Sequence, residues 1–157
     1  MTLVIRPAVP ADRSALHRLL TEIIDYFEGL AEGELEVRPS PEDLWRTAGL
    51  SFGETPFCET LIGELDGRPA GYLGYHFGVY EVFPALFVAG LFVTEAARGK
   101  GVGRELMGRA REIAAARGAS HMSWMVWRRN EAAIGFYRGL GAELAEDDRQ
   151  MAMAVRR

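Results

Sequence analysis

The sequence predicts one α+β domain over residues 1–157, with helices packed on a mixed β-sheet. Strand-like runs on both sides of Asp66-Gly67 indicate a hairpin. An unbroken apolar run at residues 88–93 leads through a glycine-rich loop into an amphipathic helix, a pattern typical of a buried strand followed by a helix. The predicted order of elements is β-α-α-β-β-β-α-β-α-β-β, which favours one layered domain.

The N-terminal elements are a short strand and a long helix. The strand is predicted over residues 3–6, before Pro7, and the helix begins at Pro10 and Asp12. Apolar residues then recur three and four positions apart, as on one face of a helix, until Gly29. These apolar residues are Leu16, Leu19, Leu20, Ile23, Ile24 and Phe27.

An acidic segment follows this helix at residues 28–38. Its acidic residues are Glu28, Glu32, Glu34 and Glu36. Two interpretations are open: a solvated loop, or an acidic rim that attracts a cationic amine. A second, short helix is then predicted through residue 48, since Ser40 suits an N-cap and Pro41 the first helical position.

The sequence pattern in the centre of the chain predicts three strands. Residues 58–65 and 69–77 flank Asp66-Gly67, and a loop is predicted over residues 79–84 before the apolar run. The helix after the glycine-rich loop carries its apolar face on Val102, Leu106, Ala110, Ile113 and Ala114 and ends near Gly118.

The C-terminal third predicts a strand, a short helix and two more strands. The strand covers residues 120–127, and its tryptophans, Trp124 and Trp127, are interpreted as packing residues. Asn130 is the predicted N-cap of the helix, and Gly141 closes it. The apolar stripe of this helix is Ala133, Phe136, Tyr137 and Leu140. The last strands are predicted over residues 142–145 and 149–155.

The glycine-rich loop has an unusual helix start. Between Ala96 and Glu105 there is no Ser, Thr, Asp or Asn to cap the helix. The segment instead carries the glycines Gly99, Gly101 and Gly103 and the cations Arg98, Lys100 and Arg104. Positive charge opposes the helix dipole, so this start favours an external anion, usually phosphate. The alternative is a glycine-rich turn with incidental arginines.

The kind of phosphate ligand is narrowed by the neighbouring residues. A magnesium-nucleotide loop needs Ser or Thr after Gly-Lys, and Gly101 stands there. The spacing Gly-x-Gly-x-Gly also departs from the dinucleotide fingerprint Gly-x-Gly-x-x-Gly.

Composition excludes other classes of protein. The net charge of −4 argues against a nucleic-acid partner and fits a cationic substrate only weakly. No apolar run reaches the ~20 residues that span a bilayer, and no secretory leader is predicted. A single cysteine, Cys58, excludes an internal disulfide and a multi-cysteine metal site, so no metal and a cytoplasmic location are expected.

Two motifs carry a resemblance to a known family. One is Arg98-Gly-Lys-Gly-Val-Gly103, and the other is Asn130-Glu-Ala-Ala-Ile-Gly-Phe-Tyr137 followed by Arg138-Gly-Leu-Gly-Ala142. In this order they resemble the GNAT N-acetyltransferase superfamily over essentially the whole chain. The resemblance implies a central, mostly antiparallel mixed sheet flanked by about four helices.

Within that superfamily the chain is most similar to the diamine, polyamine and thialysine acetyltransferases. The features are a long first helix ending in Tyr26-Phe27-Glu28 and the run at residues 71–77 before a Tyr80-containing loop. One feature departs: that branch usually carries an acidic residue just before the Phe-Val pair of the central strand, where this chain has Ala89 and Gly90. A strand-borne carboxylate base is therefore not expected.

The resemblance implies transfer of acetyl from acetyl-CoA to a primary amine of a small molecule, by direct attack in a ternary complex. Tyr137 is implied as the catalytic acid, against a plain packing role. The implied acetyl-CoA-binding residues are Leu91, Phe92, Val93, Arg98, Gly99, Lys100, Gly101, Val102, Gly103, Arg104, Asn130, Phe136 and Tyr137. Candidates for the base are Glu81, His76, Glu54, Glu28 and Tyr80, or a water chain. Gly90 is expected to mark a bulge.

Two further functions stay open at this point. A peptide or protein N-acetyltransferase would share the cofactor site, and a catalytically silent acyl-CoA-binding regulator would keep only the anion loop. The resemblance also implies a homodimer formed through residues 149–155.

Overall fold

A computed structural model describes residues 1–33, 35, 37–145 and 153 of the chain. Contacts divide the chain into two units, residues 1–125 and 126–157. The first unit contains the sheet and three helices, and the second contains the last helix.

Within the described ranges, the sheet has five strands in the order β1-β2-β3-β4-β5. Each pair from β1 to β4 is antiparallel, and β4 pairs with β5 in parallel. The predicted mixed, mostly antiparallel sheet is therefore confirmed. The strands are β1 (Leu3–Pro7), β2 (Glu59–Leu65), β3 (Arg68–Tyr80), β4 (Phe83–Val93) and β5 (His121–Ser123).

The predicted loop over residues 79–84 is wrong. β3 continues to Tyr80 and β4 starts at Phe83, so the two strands form a long hairpin with a tight turn. Glu81 in this turn has a φ of 54°. Tyr80 lies opposite Phe83 in the ladder, and aromatic cross-strand pairs stabilise such an extension.

The described residues form four α-helices. They are α1 (Arg13–Leu30), α2 (Pro41–Gly49), α3 (Val102–Ala116) and α4 (Glu131–Arg138). A 3₁₀ turn at Pro10–Asp12 precedes α1, so the helix proper starts slightly later than predicted and runs one residue past Gly29. None of the helices in the described ranges is long and apolar enough to cross a membrane.

The two faces of the sheet carry different helices. Leu16, Leu19 and Ile23 of α1 share an apolar cluster with Ile62, Tyr72 and Phe92 of the sheet. Gly63, the neighbour of Ile62, points to the opposite face, because side chains alternate along a strand. There a Cβ at Gly63 would lie 2.7 Å from Val102 Cγ1 of α3. Glycine at position 63 therefore lets α3 approach the sheet.

The strands predicted after α3 agree less well with the structure. β5 ends at Ser123 and not at residue 127, and it pairs with β4 only at Ala85, Leu86 and Phe87. Residues 142–145 are irregular, so the strand predicted there is wrong. The strand predicted at residues 149–155 lies, apart from Met153, outside the described residues.

Candidate functional site

The loop between β4 and α3 is built from two tight turns. A 3₁₀ turn at Glu95–Ala97 leads into it, and the N–H groups of Arg98 and Lys100 donate to the carbonyls of Glu95 and Ala97, at 3.1 and 3.4 Å. Gly99 and Gly101 follow with φ values of 74° and 86°. Only glycine adopts this region without steric cost, so these two glycines fix the path of the loop.

The first turn of α3 presents unpaired donors. The first internal bond runs from Glu105 N–H to the Gly101 carbonyl, at 3.0 Å, and no side chain caps the helix. Within the described part of the chain, five N–H groups of this segment have no acceptor. They belong to Gly99, Gly101, Val102, Gly103 and Arg104. Convergent N–H groups at a helix N-terminus bind anions.

The three cations of the loop do not act alike. The Arg98 guanidinium lies 4.8 Å from the Tyr26 ring and 5.8 Å from the Phe92 ring, and its Nε–H donates to the Val93 carbonyl at 3.2 Å. It therefore braces the end of β4 against α1. Lys100 and Arg104 are exposed. Residues 98–104 are all predicted to bind acetyl-CoA. Five of them have backbone N–H groups that can donate to an anion, because the N–H groups of Arg98 and Lys100 already have acceptors.

The central strand opens at a bulge. Gly74 pairs with Gly90 and Tyr75 pairs with Val88, which leaves Ala89 as the extra residue of β4. The expected bulge at Gly90 is therefore confirmed. Since β5 pairs with β4 only as far as Phe87, the described residues place no strand beside the outer edge of β4 at positions 88–93. That edge includes the predicted residues Leu91, Phe92 and Val93.

The second unit holds the other predicted residues. Asn130 is the N-cap of α4, and its Oδ1 accepts from Ala133 N–H at 3.2 Å. Phe136 and Tyr137 are neighbouring rings with centroids 5.2 Å apart. Burial raises the pKa of Tyr137 to about 12. The Tyr137 hydroxyl is therefore protonated throughout the neutral range and can donate.

The candidate bases are spread over three regions. Glu28, at the end of α1, is ion-paired with Arg38, and Glu54 is exposed before β2. His76, Tyr80 and Glu81 belong to the long β3–β4 hairpin, where His76 stacks on Phe87 at 5.3 Å between ring centroids. The ion pair with Arg38 occupies a carboxylate oxygen of Glu28.

Sequence reasoning missed a group of uncharged polar side chains near the bulge. Ser51 Oγ lies 2.7 Å from Thr60 Oγ1 and 3.7 Å from Cys58 Sγ. The Tyr72 hydroxyl lies 3.2 Å from the position of a Cβ at Gly90. We call Ser51, Cys58, Thr60 and Tyr72 the neutral polar cluster. The sequence indicates that Tyr72 and Gly74 lie on the same face of a strand, because they are two residues apart. It does not indicate that Gly74 pairs with Gly90.

In residues 1–33, 35, 37–145 and 153 there is no group of three or more His, Cys, Asp or Glu side chains that could hold a metal ion.

Comparison with known proteins identifies the family. The chain belongs to the acetyltransferase (GNAT) family, whose profile matches residues 17–142. It is therefore an acetyltransferase, as the two motifs predicted. A thialysine N-epsilon-acetyltransferase of Bos taurus is 30% identical over 148 residues, which cover 88% of this chain and 83% of that protein.

Solved structures share the fold. An integron cassette protein from the mobile metagenome of V. cholerae superposes with a TM-score of 0.74 at 22% identity, covering 99% of this chain and 94% of that one. The acetyltransferase AAC(6')-Iy, solved with the bisubstrate analogue CoA-S-monomethyl-acetylneamine, gives a TM-score of 0.72 at 17% identity, covering 99% of both chains. These likenesses confirm the predicted fold.

Proposed function

We propose that this acetyltransferase moves an acetyl group from acetyl-CoA to the primary amine of a small molecule. The observation that carries the proposal is the start of α3, where five backbone N–H groups have no acceptor in the described ranges. A diphosphate would supply the acceptors that a capping side chain supplies elsewhere. The solved relative with a CoA-containing bisubstrate analogue supports the same ligand.

The residues present fit acetyl-CoA. The N–H groups of Gly99 and of Gly101 to Arg104 would hold the diphosphate, with Lys100 and Arg104 adding positive charge nearby. The backbone of Leu91, Phe92 and Val93 would pair with the pantetheine arm, since this edge of β4 lacks a neighbouring strand in the described chain. Strand addition to a free edge is a common way to bind an extended ligand. Asn130 and Phe136 are proposed cofactor contacts on the family resemblance alone.

Two chemical tasks then remain for the chain. Bound acetyl-CoA would supply the acetyl group as a thioester. A backbone N–H near Phe92 or Val93 would donate to the carbonyl oxygen, and one such donor contributes roughly 2.7–4 kcal/mol. Tyr137 would supply the proton that the departing sulfur takes up, because burial holds its pKa at about 12. The amine must lose a proton, and its acceptor is not assigned.

The acceptor class follows from the relatives and from one departure. The Bos taurus relative is named for thialysine, a small amine with an amino-acid skeleton. The acidic residue expected on the central strand is replaced here by Ala89 and Gly90. The name of the relative favours a small amine, and the departure argues against selection of a polyamine by a strand carboxylate.

The first experiment measures cofactor binding and thiol release. Isothermal titration with acetyl-CoA should show binding, and thiol release should require an amine from a panel of polyamines, thialysine, aminoglycosides and short peptides. Binding without amine-dependent thiol release would favour the silent regulator, and release only with peptides would favour the peptide acetyltransferase.

Tyr137→Phe tests the catalytic acid. Loss of a general acid should lower kcat by about 10²-fold, while the Kd for acetyl-CoA changes less than about twofold. Because the pKa of Tyr137 is about 12, the acid form persists, and the wild-type rate should not fall between pH 7 and pH 10. Unchanged kcat in Tyr137→Phe would remove this residue from the mechanism.

We also propose a homodimer, from the family resemblance, and a cytoplasmic location, from the composition of the sequence. Sedimentation of the purified protein tests the dimer, and a chain truncated before residue 149 tests whether the last predicted strand forms it.

A further inference from the structure

The Tyr72 side chain is buried, but its hydroxyl has no hydrogen-bond partner among the described residues. Tyr72 is 7% exposed and packs in the apolar cluster beneath α1. None of the described residues exchanges a hydrogen bond with this hydroxyl. Every fully buried polar side-chain atom in the described ranges has a partner, so the Tyr72 oxygen keeps some contact with solvent. A buried ring thus presents one polar atom at an opening.

The place where this hydroxyl emerges is the bulge of β4. Tyr72 lies opposite Phe92 in the ladder, and Gly74 lies opposite Gly90. A Cβ at Gly90 would approach the Tyr72 oxygen to 3.2 Å, tighter than an ordinary contact. The absence of a side chain at position 90 therefore leaves room for the hydroxyl beside the open edge of β4.

The polar groups around this point are uncharged. A Cβ at Gly74 would contact Thr60 Oγ1, Ala89 Cβ and Cys58 Sγ at 3.8 to 3.9 Å. Thr60 in turn bonds Ser51. Burial, with a smaller contribution from Cys58, raises the pKa of the Tyr72 hydroxyl well above its usual range. Tyr72 and its nearest polar neighbours therefore offer hydrogen bonds without a negative charge.

We propose that the Tyr72 hydroxyl binds the acceptor amine and that the neutral polar cluster forms its subsite. This assignment rests on the proposed function. A neutral, partly desolvated subsite favours the uncharged, nucleophilic form of an amine, since desolvation disfavours the ammonium form. The subsite has no negative charge to offset the desolvation of a second ammonium group, which would need a carboxylate partner. The subsite therefore takes monoamines with a neutral hydroxyl or carbonyl neighbour in preference to polyamines.

A pair of tyrosine substitutions separates this role from a structural one. Tyr72→Phe removes a hydroxyl that bonds no residue in the described ranges, so thermal stability should not fall. The value of kcat/KM for the best acceptor should fall about tenfold or more, because a polar contact to the substrate is lost. Calorimetric titration of the amine should show the same weakening, while the Kd for acetyl-CoA stays within about twofold.

Tyr75→Phe is the matched control. Tyr75 lies three residues along the same strand, on the opposite face, and its hydroxyl donates to Glu59 Oε2 at 3.0 Å. This variant should lose thermal stability and keep the kcat/KM of the wild type. The two variants should thus show opposite patterns.

Gly90→Ala provides a second test. A methyl group at position 90 displaces the Tyr72 hydroxyl, so it should lower kcat/KM for the acceptor in the wild-type background. In the Tyr72→Phe background it should add little, since the hydroxyl is already absent. Fully additive losses would overturn the proposal.

Other outcomes are also decisive. Wild-type kcat/KM in Tyr72→Phe on every acceptor overturns the assignment, and so does a loss that follows thermal stability or acetyl-CoA affinity. A preference for putrescine or spermidine over ethanolamine and amino-acid amides overturns the neutral subsite. A wild-type protein that binds no acetyl-CoA refutes the proposed function instead.

Discussion

The N-termini of α2 and α3 solve the same physical problem in opposite ways. At α2, Ser40 Oγ accepts from Asp43 N–H at 3.1 Å, and an Asp43 carboxylate oxygen accepts from Ser40 N–H at 3.1 Å. At α3, Gly101 stands at the N-cap with a φ of 86° and no side-chain bond. Helix α2 thus pairs a donor of its first turn with its own side chain, and the N–H groups of the first turn of α3 have no acceptor in the described ranges.

Side chains also bond backbone N–H groups at the start of α4 and at the 3₁₀ turn before α1. The Asp12 carboxylate accepts from Val9 N–H at 2.8 Å in the turn that opens α1, and Asn130 caps α4. A missing cap costs about 1 kcal/mol. The fully buried Val102 and Leu106 anchor α3 to the sheet, so packing offsets this loss. The start of α3 thus lacks the side-chain cap that α2 and α4 have, and the proposed diphosphate would take its place.

The largest effect should come from filling the open start. Gly101→Asp places a carboxylate where we propose the diphosphate binds, and like charges at an interface cost several kcal/mol. The Kd for acetyl-CoA should rise by about a hundredfold or more, measured by isothermal titration. Gly101→Asn is the matched neutral variant, since Asn tolerates the left-handed region, and it should lose much less affinity. Equal affinity in Gly101→Asp and the wild type would refute the anion site.

The contribution of Asp12 to stability, at the turn before α1, should be lost in acid because it depends on the charge of the carboxylate. Asp12 is hydrogen-bonded by both Nη atoms of Arg6, at 2.7 and 2.9 Å, and this guanidinium lowers the pKa of the carboxyl. Asp12→Asn should cost about 1.5–3 kcal/mol of stability at neutral pH. Because the folded pKa lies below the unfolded value of about 3.9, the advantage is present above that pH and is lost as the pH falls through the folded pKa.

Thermal melts of the wild type and Asp12→Asn from pH 7 to pH 3 measure this difference, which should shrink in acid. Asp66→Asn is the control, since Asp66 also accepts a backbone N–H but is exposed. A stability gap that stays constant down to pH 3 would contradict the role of the Arg6 pair.

Removing the side-chain cap of α2 should lower stability without changing acetyl-CoA affinity. Ser40→Ala removes the acceptor for Asp43 N–H and should lower the free energy of unfolding by about 1 kcal/mol. Denaturant titration measures this loss, and calorimetry should find the acetyl-CoA affinity unchanged. A weakened affinity would mean that the two helix starts are not functionally separate.

The smallest effect should come from the exposed cations of the loop. Lys100→Gln should weaken acetyl-CoA binding by roughly two- to fivefold, because an exposed charge near a helix terminus contributes about 0.3–1 kcal/mol. The difference between the variant and the wild type should decrease as salt screens the charge. A larger, salt-independent loss would show that Lys100 makes a direct contact.

Local patterns predicted most of the fold but not its pairings. The spacing of Leu16, Leu19 and Ile23 predicted the buried face of α1, and Ser40 with Pro41 predicted the start of α2. The long β3–β4 hairpin was missed because its tip, with Tyr80 opposite Phe83, depends on cross-strand contacts. The length of β5 was overestimated because the strand extends only as far as its pairing with β4, at Ala85 to Phe87, and a single sequence does not show which residues pair.

The candidate site divides in the same way. The glycines and the missing cap were visible as a local signal, and they predicted the open N-terminus of α3. The contacts of the Arg98 side chain were not predicted, because its partners Tyr26 and Val93 come from an α-helix and a strand outside the loop. Tyr72 was overlooked because a strand tyrosine in an apolar run predicts packing, and only the register with β4 places its hydroxyl at Gly90.

The sequence by itself determined the layered α+β architecture, the family and the glycine-built helix start, since propensity, capping and φ preference act over a few neighbouring residues. The tertiary structure alone decided which N–H groups stay free, where the Arg98 guanidinium lies and which hydroxyl meets the bulge. These features depend on strand register and on contacts between residues far apart in the chain, which hydrophobic burial and cross-strand pairing establish only when the sheet forms.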